Sequence, residues 1–175
     1  PGEFATAEAN SFLDDTCCDG QFRLQHVFLA DDFSSLPDDG AWLTSLAFRP
    51  DADAVTAPQE KWLRDTEMSF STTSSGIGSS LNRDFSNNRV NDAIMVKTGD
   101  FALATENLSL PNGTKEFDYV VEFDQPYLYD PTEGNLLFEW AGRSEASLLF
   151  DFSEDQAAQI VFGNGLNVSR GDYFG

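Results

Sequence analysis

Hydrophobic and polar positions alternate with a period of two through most of this chain. In "WLTSLAFRP", Trp42, Thr44, Leu46 and Phe48 share one side, and Leu43, Ser45, Ala47 and Arg49 share the other. Phe117, Tyr119, Val121 and Phe123 alternate with Asp118, Val120, Glu122 and Asp124. Leu136, Phe138 and Trp140 alternate with Leu137, Glu139 and Ala141, and Leu148, Phe150 and Phe152 repeat the pattern. Successive strand side chains point to opposite faces, so this period predicts half-buried β-strands. Shorter candidates are "QFRLQHVFLA", "TEMSFSTT", "AIMVKTG", "FALATENLSL" and "AQIVFGN". Turn residues punctuate them at Pro37-Asp38-Asp39-Gly40, Pro111-Asn112-Gly113, Asp130-Pro131-Thr132-Glu133-Gly134 and Gly163-Asn164-Gly165, where fixed or positive φ is called for. Helical periodicity shows only weakly, around Ala57 to Leu63. About eight to ten strands at this spacing predict an all-β fold, an antiparallel β-sandwich of the jelly-roll type.

Two stretches fall outside the alternation. Residues 1–20 form a polar N-terminal lead, and its opening Pro1-Gly2-Glu3-Phe4 reads like a cloning scar; no signal-peptide pattern is visible there. Residues 21–175 are read as a single β-sandwich domain. Within it, Ser71 to Asn91, "STTSSGIGSSLNRDFSNNRVN", is too long and polar for one strand and is expected to be a mobile or a functional loop.

Composition sharpens this picture. The chain has 175 residues, enough for a sizeable core, and its 41% apolar content is that of a folding chain. Phe contributes 16 residues, which suits wide apolar layers between sheets. The formal charge of -20 is the strongest constraint on partners. Phosphate backbones and anionic lipid surfaces repel such a surface, so nucleic acid is not an expected partner. Membrane insertion is not expected either, since no run of about 18 apolar residues occurs.

The strand sequences, taken in order, carry a resemblance. "FRLQHVFLADDF", "WLTSLAFRPDAD", "MSFSTTSSGIGSSLNRDFSNN" and "FDYVVEFDQPYLYDPTEGNLLFEW" contain the phrases R-x-Q-x-V-F, L-T-S-L-A-F-R-P-D, F-S-T-T and Y-D-P-x-x-G-N-L-L. From Gln21 to Gly175 the chain resembles extracellular proteins of planctomycetes and cyanobacteria whose precursors often end in a PEP-CTERM sorting signal. These phrases are strand and turn signatures. The resemblance implies an exported β-sandwich associated with the cell surface or biofilm matrix, and it supplies no catalytic motif.

Candidate chemistry is sparse. The single histidine, His26, lies among strand residues and is expected to be structural, since one His builds no His-based metal site. Carboxylate pairs such as Glu122/Asp124 and Asp130/Glu133 could reach the 5–9.5 Å separation that glycoside hydrolysis uses, but 30 acidic residues supply many such pairs by chance. Calcium is a better use of these hard oxygens. The expected ligands are Asp31, Asp32, Asp38 and Asp39 in "DDFSSLPDDG", with Asp51 and Asp53 in "RPDADA". Among aromatics, Trp42 and Trp140 read as core. Trp62, in the polar "QEKWLRD", is the expected exposed ring, and Tyr127 and Tyr129 in "QPYLYDP" could join it in a glycan-stacking platform.

The two cysteines, Cys17 and Cys18, sit together in "DDTCCDG". The aspartates oppose thiolate formation, and two sulfurs cannot close a zinc site. In an oxidising compartment the pair reads as a vicinal disulfide, with linkage to another chain or free thiols as alternatives.

The functional expectation is a secreted, non-catalytic β-sandwich that binds a polysaccharide or acts as a matrix or adhesion component, with structural calcium. One alternative is a carbohydrate-active enzyme using a carboxylate pair. Another is a structural protein that self-associates through strand edges, which a sequence ending mid-strand would encourage.

Overall fold

A computed structural model describes residues 21–34, 36, 37, 39–50, 55, 57–76, 81, 82, 84–91, 93–144, 158–162 and 167–170, with residue 144 and the last two spans described by backbone alone. The strands are β1 (Gln21–Phe28), β2 (Ala41–Phe48), β3 (Gln59–Thr73), β4 (Ile94–Thr105), β5 (Tyr119–Tyr129), β6 (Asn135–Ser144), β7 (Ala158–Phe162) and β8 (Asn167–Arg170). They form a six-stranded sheet in the order β4-β3-β6-β1-β7-β8 and a two-stranded sheet, β2-β5. Every pairing is antiparallel. The all-β, two-sheet expectation holds. Among the described residues no helix is long and apolar enough to cross a membrane.

The core lies between the sheets and is aromatic at its centre. Trp140 on β6 is fully buried. It meets Phe22 of β1 edge-on at 5.2 Å and stacks with Phe48 of β2 at 5.5 Å. Phe70 on β3 contacts Phe138 of the same sheet at 5.2 Å and Tyr127 of the opposite sheet at 5.5 Å. Rings from both sheets thus interlock, which is how two β layers fill the space between them.

Irregularities place the strands. Alternation marks a strand only from Thr66, with weak helical periodicity before it, yet β3 is one strand from Gln59 onward, with Leu63 buried and Trp62 turned outward. A bulge between Leu63 and Thr66 makes this possible. Asp65 there has φ 49°, and the Asp100 carboxylate accepts from its backbone N–H at 2.9 Å. Opposite it, Gly99 at φ 89° lets two expected strands fuse into β4. A second irregularity, between Leu43 and Ser45, inverts the alternation of β2. Leu46 and Phe48 face inward as expected, but Trp42 is 62% exposed. The assignment of Trp42 to the core is corrected by that phase change.

The sheets are tied at one corner by side chains. Asp124 of β5 accepts from Lys97 Nζ at 2.7 Å and from the Thr98 N–H at 3.1 Å, both on β4. Gln125 Nε2 donates to the Met95 carbonyl beside them.

Candidate functional site

Trp62 stands on the outer face of the six-stranded sheet, away from the core. Its partner across β4 is Ala102, and Glu60 beside it faces Ala104. Two alanines leave the indole without a tall neighbour on that side, and it is 41% exposed. Two residues on, and on the same face, Arg64 places its guanidinium carbon 4.6 Å over the indole ring. Arg64 Nη1 donates to Asp100 Oδ2 at 3.0 Å. The Asp65 N–H and the Arg64 guanidinium bind the Asp100 carboxyl and hold it below the ordinary aspartate value. The bulge therefore positions Asp100, Asp100 positions Arg64, and Arg64 packs on Trp62. An exposed ring beside an already oriented donor can stack on a flat apolar face while bonding a neighbouring hydroxyl, with little ordering cost on binding.

The other expected aromatics do not join it. Tyr127 is buried, and Tyr129 is wholly buried, with its hydroxyl donating to the Gly134 carbonyl at 2.9 Å. Burial pushes the Tyr129 phenol up to about 12. Both belong to the aromatic core, so the three-residue platform is reduced to Trp62.

Carboxylates expected to act in pairs are largely engaged elsewhere. The Asp124 carboxyl is held low by Lys97 and the Thr98 N–H. Asp130 is held low by the Thr132 hydroxyl and N–H, closing the turn before β6. Asp31 and Asp32 lie on a short 3-10 turn, Ala30–Phe33, and Asp39 is exposed in the turn before β2. Among the described residues no group of three or more His, Cys, Asp or Glu side chains gathers. Asp31, Asp32 and Asp39 therefore do not form the expected calcium shell by themselves; Asp38, Asp51 and Asp53 lie outside the described residues, as do Cys17 and Cys18.

One polar centre escaped sequence reasoning. Glu139 on β6 lies on the outer face of the sheet but is only 7% exposed. It accepts from Gln25 Nε2 at 2.7 Å, from Arg89 Nη2 at 2.6 Å and from Arg23 Nε at 2.9 Å. Burial pushes its carboxyl up, but the bonds from Arg89, Gln25 and Arg23 outweigh this and hold it low. Gln25 also donates to the Phe85 carbonyl at 3.1 Å and accepts from Asn88 Nδ2 at 2.7 Å. Arg23 lies 4.7 Å over the Phe85 ring. Leu81 packs on Val27 and Leu137 beside this network. The Ser/Asn-rich stretch, expected to be mobile or functional, is thus anchored on the sheet through Leu81, Phe85, Asn88 and Arg89. The available signal was a carboxylate set inside the apolar strand "NLLFEWAG".

His26 is 3% exposed, with its ring 4.6 Å from Phe28, and burial lowers its pKa to about 4. It is neutral at physiological pH and belongs to the interior. No protein-family model matches this chain, and comparison with curated proteins and with solved structures returns no match either.

Proposed function

We propose that this protein is a secreted, cell-surface-associated, non-catalytic β-sandwich that binds an extracellular glycan through the outer face of its larger sheet. The observation that carries this reading is Trp62, a large apolar ring kept in water on a rigid strand and dressed by the Arg64–Asp100 pair. A sheet face offers sugars a flat support, and an indole can stack on the apolar face of a pyranose while neighbouring polar groups bond its hydroxyls. The sequence resemblance to exported matrix-associated proteins supports the compartment. The placement of β1 between β6 and β7 in the larger sheet supports a jelly-roll connectivity.

Five described carboxyls are set against the acid role in glycoside hydrolysis. Asp84, Asp100, Asp124, Asp130 and Glu139 are all displaced downward. A glycosidase acid must instead be held protonated near neutral pH by a raised pKa.

A glycan array with wild-type protein and Trp62→Ala tests the reading. Binding to at least one glycan, lowered about tenfold or more by the substitution, with no release of reducing ends, is the expected result. Release of reducing ends from a bound glycan would favour a carbohydrate-active enzyme instead.

A further inference from the structure

We propose that the connection between β4 and β5 holds a calcium ion, with Asp118 and Asn107 as its anchoring ligands. This connection, residues 106–118, leaves β4 at Thr105 and enters β5 at Tyr119. Thr105 is buried at its root and organises it. The Thr105 hydroxyl donates to Asp118 Oδ2 at 2.7 Å and accepts from the Asn107 N–H at 2.8 Å. The Glu106 N–H donates to the same Asp118 oxygen at 2.9 Å. Asp118 and Asn107, one from each end of the connection, are thus fixed around a single hydroxyl. Their remaining oxygens, Asp118 Oδ1 and Asn107 Oδ1, are both closed off from solvent, and among the described residues no donor reaches either.

The chemistry of these atoms identifies the occupant. A buried acceptor without a donor is costly, and a carboxylate oxygen more so than an amide. A water bridging the two oxygens would leave the carboxylate charge without a counter-ion. The connection's own cation does not serve: Lys115, its single basic residue beside Glu106, Glu116 and Asp118, donates its ammonium to Ser109 Oγ at 3.0 Å. A chain with a formal charge of -20 draws small cations toward its surface. The atoms on offer are hard oxygens from a carboxylate, an amide and the carbonyls of an irregular segment. Calcium takes this mixed set in flexible geometry, with waters completing a shell of about six to eight oxygens, whereas magnesium demands a tighter octahedron. With a single carboxylate as anchor, a dissociation constant of about 0.1–1 mM is expected, the range of extracellular calcium modules.

Calorimetric titration of calcium chloride into the EDTA-treated full chain, with melting curves in EDTA and in about 10 mM calcium, tests this. Wild type is expected to bind about one ion per chain and to melt about 3 °C or more higher with calcium. Asp118→Asn keeps an acceptor for Thr105 and Glu106, and Asn107→Gly suits the φ of 58° at that position. Each is expected to weaken calcium binding about tenfold or more while melting close to wild type in EDTA. Asp31→Asn/Asp32→Asn/Asp39→Asn is expected to bind calcium as wild type does. A wild type that takes up no calcium would overturn the proposal. So would calcium binding that survives both Asp118→Asn and Asn107→Gly, or binding lost only in the triple variant.

Discussion

Three tryptophans occupy three environments, and each environment assigns a different cost to losing the ring. Trp140 is fully enclosed by Phe22, Phe48 and Phe138, so Trp140→Ala is expected to lower unfolding free energy by about 3–5 kcal/mol in urea titrations. Trp42 and Trp62 are exposed, and their removal is expected to change stability by about 0.5 kcal/mol or less. A large loss at either would contradict their placement. His26 makes a separate prediction in acid. Its pKa falls from 6.5 to about 4 on burial, so between those values the unfolded chain takes up a proton that the folded chain refuses. The stability tied to its neutral form is complete above pH 6.5 and lost as pH falls toward 4, at most about 3 kcal/mol. His26→Phe is expected to flatten that part of the stability–pH curve; an unchanged slope would place the titration elsewhere.

At the scale of elements, Glu139 couples β6 and β1 to Arg89 directly, and to Phe85 and Asn88 through Gln25. Glu139→Gln keeps the size but leaves the partly exposed Arg23 and Arg89 without their shared carboxylate, which is expected to cost about 1–3 kcal/mol. Amide exchange is expected to quicken first at Phe85, Asn88 and Arg89, with β3 and β4 protected as before. Uniform quickening would mean that this segment does not open independently. Because the folded Glu139 carboxyl titrates low, its contribution is present above the ordinary glutamate pKa and fades as pH drops below it. The Asp100 contacts are exposed and screened, so Asp100→Ala is expected to leave the melting temperature nearly unchanged. It should still weaken glycan binding, because Arg64 loses the contact that orients it.

At the scale of the whole molecule, alternation revealed the sheets because most strands are half-buried and regular. Leu136, Phe138 and Trp140 face the core as their period requires. It failed where backbone irregularities reset the phase: at Thr44, which turned Trp42 outward, and at Asp65, which lies in a segment too charged to read as a long strand. Trp62 was legible because polar residues surround it in sequence. Tyr127 and Tyr129 were not, since "QPYLYDP" resembles a turn while both rings point into the core beyond the four unpaired residues 123–126 of β5. Glu139 was hidden because its partners come from β1 and from Arg89, contacts that no local pattern encodes.

Titration calorimetry of wild type, Trp62→Ala and Asp100→Ala against the best glycan from an array tests the central claim most directly. The expected result is saturable wild-type binding, weakened about tenfold or more by Trp62→Ala and less by Asp100→Ala, with all three proteins melting within a few degrees of each other. Equal affinity of the Trp62→Ala protein, or no glycan bound by wild type, would contradict it.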